Sequence, residues 1–169
     1  MKKLLMMGFI GAFIATPAFA DNILVQNDYW ETSNNWTPGS TITQCYMTST
    51  SPSGDIFLMV ANGPNDISLN IQNNSWTIPN NSTGTMTVSS DNGVVSLPMT
   101  GSGNIVTAQV GDFSQLYQKI IGTGYLQITV GNVKITFPAF TQLTSAMAAF
   151  SACVGGLNPQ SSVNPLAGN

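Results

Sequence analysis

The chain has 169 residues, only 7% of them charged, and its formal net charge is −3. It contains four basic residues and no histidine. Binding to nucleic acid or to an anionic membrane surface needs several cations, so this composition argues against both kinds of partner. The polar residues are mostly uncharged ones: Asn, Ser, Thr and Gln.

The first 20 residues have the layout of a secretory signal peptide. The start Met-Lys-Lys is positive, residues 4–15 are apolar or small, and residues 18–20 (Ala-Phe-Ala) form a small-x-small cleavage site. The apolar run is too short to cross a bilayer of about 30 Å comfortably. We therefore predict cleavage after Ala20 and an exported protein, periplasmic or secreted, that keeps no transmembrane anchor. Two lysines and seven acidic residues would remain, a net charge of −5.

Residues 21–40 show no strand period and are rich in turn-forming residues, so we expect them to be loosely ordered. Aromatic rings on an uncharged β-surface commonly stack on sugars or anchor a protein partner. We therefore take Tyr29, Trp30 and Trp36 as candidate binding residues. The alternative is that a tryptophan simply belongs to the core, and we favour it for Trp76, which the pattern places in a strand.

From Thr41 onward, apolar and polar residues alternate with the two-residue period of β-strands. Residues 56–60 are apolar at every position, and residues 67–72 alternate strictly. Clusters of Asn, Asp, Gly and Pro separate the segments as turns. The pattern predicts strands at 42–48, 55–61, 67–72, 76–78, 86–90, 94–97, 105–110, 125–130 and 133–137. The last two should form a hairpin across Gly131-Asn132, a turn of favoured composition.

Two segments have helical periodicity instead. In residues 113–121, apolar side chains recur at the spacing of one helical face. Asp112 occupies the N-cap position, and Gln115 follows it as in a capping box. Gly122 stands where a helix usually stops. These signals together predict a short helix.

The second helix is predicted over residues 142–154, with Thr141 as its N-cap. Phe150 belongs to its apolar face, and Cys153 continues that face three residues later, so Cys153 should point into the core. The only other cysteine is Cys45. An even cysteine count in an exported chain favours a disulfide over a metal or redox site. We predict that a Cys45–Cys153 disulfide tethers this helix to the sheet.

No pattern indicates catalysis, a cofactor or a metal site. The absence of histidine removes the common Ser-His and Cys-His arrangements. Lys119 and Lys134, the bases that a Ser-Lys hydrolase would use, fall on outward faces of a helix and a hairpin. The carboxylates lie in or near predicted turns, with no facing pair of the kind that glycosidases use. The turns at Asp66 and Asp91 each offer one carboxylate, whereas calcium sites usually collect several.

Five segments carry a resemblance to a known family: residues 45–48 (Cys-Tyr-Met-Thr), 56–60, 113–121, 124–128 (Gly-Tyr-Leu-Gln-Ile) and 137–141 (Phe-Pro-Ala-Phe-Thr), followed by Ala146. In their order and spacing, over roughly residues 36–153, they resemble the invasion-associated locus B family of bacterial periplasmic proteins. The chain departs from that family because it lacks the additional paired cysteines. The resemblance implies a compact β-sandwich or barrel in the cell envelope without established catalysis, and it transfers no functional residue.

We therefore expect one mainly β domain over residues 21–154, an antiparallel sandwich or barrel with two short helices, and a flexible tail over 155–169. Its expected role is non-enzymatic: an envelope interaction module with a protein or polymer partner. One alternative is a carbohydrate-binding module that uses Trp30 and Trp36 at its surface. Another is an inhibitor or immunity protein for a periplasmic enzyme. The oligomeric state stays open at this level.

Overall fold

The computed structural model describes residues 22–35 and 41–157. These residues form ten strands and two helices. The helices are α1 (Phe113–Ile120) and α2 (Phe140–Gly156). The strands are β1 (Asn22–Gln26), β2 (Trp30–Asn34), β3 (Cys45–Thr50), β4 (Ile56–Gly63), β5 (Asp66–Gln72), β6 (Ile78–Ser90), β7 (Gly93–Gly103), β8 (Ile105–Gln109), β9 (Tyr125–Val130) and β10 (Val133–Pro138).

All ten strands belong to one antiparallel sheet, which curls into a half-barrel. Their order across the sheet is β1-β2-β3-β4-β5-β8-β7-β6-β9-β10, so β1 and β10 form the two edges. The prediction of a mainly β domain with two helices and a disulfide is confirmed. Of the two architectures that the sequence left open, the single curled sheet is the barrel-like one.

The hydrophobic core lies on the concave side of this sheet, since the rings of Phe57 on β4 and Phe137 on β10, six strands apart in the sheet order, meet at 5.6 Å between centroids. Side chains on β4 and β5 alternate between buried and half-buried positions, as the two-residue period of a strand requires. Phe57, Met59, Leu69 and Ile71 are all fully buried. Helix α2 packs against β1, β2 and β3, and α1 packs against β6 and β7. The two helices therefore cover the concave face.

The disulfide joins Cys45 at the start of β3 to Cys153 near the end of α2, with a Cα–Cα distance of 6.1 Å. Both cysteines are buried, as predicted from the apolar face of the helix. Phe150, one turn earlier, is fully buried and meets the ring of Phe113 edge-on at 5.6 Å between centroids. The end of α2 is therefore fixed to the sheet by the bridge and to α1 by an aromatic contact.

Helix α1 begins as predicted. The Asp112 carboxylate accepts a hydrogen bond from the Gln115 backbone N–H at 2.9 Å. Beyond the helix, Gly122 has φ of +72°, a left-handed conformation that glycine adopts without steric cost. The capping signals in the sequence therefore predicted both ends of α1.

Helix α2 is longer than predicted, and the prediction of Thr141 as its N-cap is wrong. Ala139 occupies the N-cap position, and no side chain caps the helix. Thr141 lies inside the first turn, where its carbonyl accepts a hydrogen bond from the Ser145 hydroxyl at 3.1 Å. At the other end the helix runs to Gly156, and Leu157 is buried.

The segment expected to be loosely ordered contains two strands, β1 and β2, so that expectation is wrong. Strand β2 carries no alternating apolar signal, because Thr32, Ser33 and Asn34 are polar yet buried. The Thr32 hydroxyl donates to the Ala146 carbonyl of α2 at 3.0 Å. This hydrogen bond to a distant helix compensates the burial of the Thr32 hydroxyl.

Candidate functional site

The three aromatic residues expected at the surface have different positions. Trp30 is only 1% exposed. Its indole N–H donates to the Pro138 carbonyl, and its ring meets Phe57 edge-on at 5.1 Å between centroids. Trp30 therefore belongs to the core, which is the alternative to its role as a candidate binding residue. The buried indole is tolerated because its one polar atom has a partner. Trp36 lies outside the described residues.

Tyr29, in contrast, is 47% exposed. It follows two other exposed apolar side chains, Ile23 at 51% and Leu24 at 38%, both on β1. Six large apolar side chains are exposed in the described part of the chain, and three of them lie within residues 23–29. We call β1 together with the turn after it, residues 22–29, the β1 edge surface.

Strand β1 forms one edge of the sheet. Among the described residues, 22–35 and 41–157, its only strand partner is β2. The pairing runs from Asn22 opposite Asn34 to Gln26 opposite Glu31. The pairing shifts at Leu24, where β1 has one extra residue, a β-bulge. An edge strand presents backbone N–H and C=O groups that a further strand can pair with. The exposed apolar side chains thus lie beside a template for strand addition.

The turn that carries Tyr29 is held by hydrogen bonds. The Asn27 side-chain oxygen accepts from the backbone N–H of Tyr29 at 3.2 Å and of Trp30 at 2.9 Å. The Asn27 amide group donates to the Gln142 carbonyl of α2 at 3.3 Å. The Gln142 side chain in turn donates to Asp28 at 3.4 Å. The turn is therefore fixed to α2, and a partner would meet a pre-organised surface.

The β1 edge surface carries little charge. Residues 22–35 contain two acids, Asp28 and Glu31, and no basic residue. The Glu31 carboxylate accepts a hydrogen bond from the Gln26 amide at 3.0 Å. Strand β1 itself has no ionisable side chain. A partner strand that covers β1 would thus bury no ionisable side chain of β1, so the high cost of burying a charge would not arise there.

A polar cleft of about 490 Å³ is lined by Thr43, Gln44, Asn62 and Asp66. The Gln44 amide donates to Asn62 at 2.7 Å, and the Asn62 amide donates to Asp66 at 3.3 Å. These side chains therefore serve as hydrogen-bond partners for one another across the ends of β3, β4 and β5. The cleft is therefore explained by the packing of strand ends and turns, without a ligand.

The one buried carboxylate among the described side chains is Asp55, which is 2% exposed. It accepts hydrogen bonds from Ser53, Ser51 and Asn73. Burial by itself raises the pKa of Asp55, but these hydrogen bonds outweigh it and hold the pKa below its ordinary value of 3.8. A carboxylate kept ionised by neutral donors is a structural anchor between two loops and is a poor general acid.

The two described lysines lie on different elements, Lys119 on α1 and Lys134 on β10. Lys119 donates to the Asn92 carbonyl at 2.9 Å, which ties α1 to the turn between β6 and β7. Lys134 lies exposed on β10. Within the described ranges, no group of three or more His, Cys, Asp or Glu side chains is placed to hold a metal ion. No helix found there has the length and apolar content needed to cross a membrane.

The chain was compared with known proteins in three ways. No protein-family model matches it. No curated protein and no solved structure matches it either. The β1 edge surface is therefore a candidate site on the strength of its own geometry.

Proposed function

We propose that this protein is a non-enzymatic interaction module of the bacterial cell envelope, and that it holds a protein partner by strand addition at the β1 edge surface. The observation that carries the proposal is the concentration of exposed apolar side chains on an uncharged edge strand. In strand addition, main-chain hydrogen bonds supply affinity and alternate side chains supply specificity.

Location outside the cytosol is supported by two independent features. Residues 1–20 have the layout of a signal peptide. The Cys45–Cys153 bridge is formed, and disulfides of this kind persist mainly outside the reducing cytosol. The resemblance to the invasion-associated locus B family supports the same location.

A protein partner is better supported than a glycan bound by tryptophans. The carbohydrate-binding alternative needed Trp30 and Trp36 together at the surface, and Trp30 is buried. The β1 edge surface instead offers aliphatic side chains, Ile23 and Leu24, beside one aromatic ring, Tyr29. Full burial of an aliphatic side chain contributes roughly 1.5–3 kcal/mol, and Ile23 and Leu24 have 51% and 38% of their surface left to bury. Their burial would add to the main-chain hydrogen bonds of strand addition.

Site-specific photocrosslinking in the native envelope tests this function. A photoreactive phenylalanine analogue replaces Ile23, which is exposed on β1 itself, in the otherwise unchanged protein and in a Leu24→Lys background. The matched control is a Val133→Lys background, which places the same charge at an exposed apolar position on the opposite edge. We expect a defined adduct whose yield falls with Leu24→Lys and is unchanged with Val133→Lys. An equal yield in both backgrounds, or no adduct at all, would contradict strand addition at β1.

A further inference from the structure

We infer that the partner of the β1 edge surface is a second copy of this chain, with the two β1 strands paired antiparallel about a two-fold axis. This inference rests on the proposed function and identifies its partner. This strand pairing would extend the ten-stranded sheet of one molecule into that of the other. A two-fold contact of this kind is isologous: the same surface is used by both copies.

The sequence of β1 is complementary to itself when it is reversed. The strand reads Asn-Ile-Leu-Val-Gln. Antiparallel pairing centred on Leu24 places Leu24 opposite its own copy, Ile23 opposite Val25, and Asn22 opposite Gln26. Each pair thus joins side chains of one class: aliphatic with aliphatic, and amide with amide. Cross-strand pairs of this kind each contribute roughly 0.2–1 kcal/mol, and no like charges oppose one another.

The two edges of the sheet are protected differently. Natural proteins block unwanted strand pairing by placing lysine and proline on edge strands. The edge strand β10 contains both, Lys134 and Pro138. Strand β1 contains neither, and its one such device is the bulge at Leu24. This asymmetry indicates which edge is available for pairing with another chain.

The bulge at Leu24 limits the strength of the contact. A bulge bends an edge strand and interrupts its ladder, so the two copies would pair over a short segment. It does not hide the apolar residues, since Ile23 and Leu24 both stay exposed. Small interfaces form weak, reversible complexes. We therefore expect a dissociation constant on the order of 10–100 µM.

Analytical ultracentrifugation of the mature, oxidised protein measures this association. Samples span about 1 µM to about 1 mM, which brackets the expected constant. We expect a reversible monomer–dimer equilibrium, at least about tenfold weaker for Leu24→Lys because two buried ammonium groups would oppose each other. The Val133→Lys variant is the matched control and should behave like the wild type. A purely monomeric wild type over the whole range would overturn the inference.

Cysteine trapping tests the register. Directly opposite residues of an antiparallel pair have Cα atoms about 4.5–5.5 Å apart, within disulfide reach. Leu24→Cys should therefore give a covalent dimer, and Val133→Cys should not; mass spectrometry verifies that Cys45–Cys153 stays intact. Equal trapping at both positions would overturn the two-fold register. A monomeric wild type whose photocrosslinked adduct at position 23 still depends on Leu24 would overturn self-pairing and leave the proposed function standing with another protein as partner.

Discussion

Tyr29 and Trp30 are neighbours in the chain, yet they belong to two regions with different tasks. Trp30 begins β2 and is 1% exposed on the concave face, whereas Tyr29 lies on the turn before it and is 47% exposed. The sheet directs Trp30 toward Phe57 and Phe137. Asn27 and α2 hold the turn that presents Tyr29 outward. An aromatic residue in an uncharged segment is therefore a binding candidate only where the sheet leaves it uncovered.

Substitutions in the two regions should affect different quantities: stability in one region and association in the other. The concave face contains the core, the disulfide and the contacts of both helices. The β1 edge surface contains exposed side chains whose removal leaves no cavity. Substitutions in the first region should lower the free energy of unfolding, and those in the second should weaken only association.

The largest effect is expected from the disulfide. The bridge closes a loop with a sequence separation of 108 residues, and a loop of this length corresponds to about 4–5 kcal/mol in the chain-entropy account. The double variant Cys45→Ala with Cys153→Ala should therefore lose up to about that much stability in urea unfolding. Reduction of the wild-type protein before unfolding provides a check without substitution. A loss below about 1 kcal/mol, as for surface changes, would mean that the bridge is dispensable.

Truncation of the buried aromatic residues comes next. Trp30→Ala and Phe150→Ala should each lower the free energy of unfolding by about 3–5 kcal/mol, because each leaves a cavity among fully packed neighbours. The Phe150 variant should in addition loosen α2 from α1, since its ring contacts Phe113. Urea unfolding measures the first effect, and hydrogen exchange of α2 amides measures the second. Unchanged exchange in α2 would show that the disulfide alone holds the helix.

Asp55 should have a smaller, pH-dependent effect. Because hydrogen bonds from Ser53, Ser51 and Asn73 lower its pKa in the folded state, the ionised form contributes stability above the pKa of the unfolded chain. That contribution disappears as the pH falls through the lowered folded-state pKa. Asp55→Asn should cost about 1–3 kcal/mol at pH 7, and the difference from wild type should shrink below about pH 4. A difference that is constant from neutral to acidic pH would contradict the linkage.

Much of the fold was predictable because its signals are local. The Asp112 cap, the Gly122 stop and the Gly131-Asn132 hairpin each act within a few residues, and the structure contains all three. The disulfide was predictable because Cys153 continues the apolar face of α2. In these cases the residues that form the sequence signal also make the contacts or turns that stabilise the structure.

The β1 edge surface and β2 were not predictable in this way. Strand β2 is stabilised by contacts over more than a hundred residues of sequence, such as that between Thr32 and Ala146. No apolar alternation marks these contacts, so the segment looked like a loop. The same lack of a local signal made Trp30, which is buried, a candidate binding residue. The exposed edge of β1 follows from the order of strands in the sheet, which no local pattern in residues 22–26 encodes.

The smallest effect on stability is expected at Tyr29. Tyr29→Ala should change the free energy of unfolding by no more than about 0.5 kcal/mol, because the ring is exposed and the Asn27 hydrogen bonds that fix the turn use backbone N–H groups. Urea unfolding of Tyr29→Ala beside Trp30→Ala measures the contrast directly. A loss above about 1 kcal/mol in the Tyr29 variant would place that ring in the structural core of the turn. The exposed apolar side chains of β1 alone would then carry the interaction.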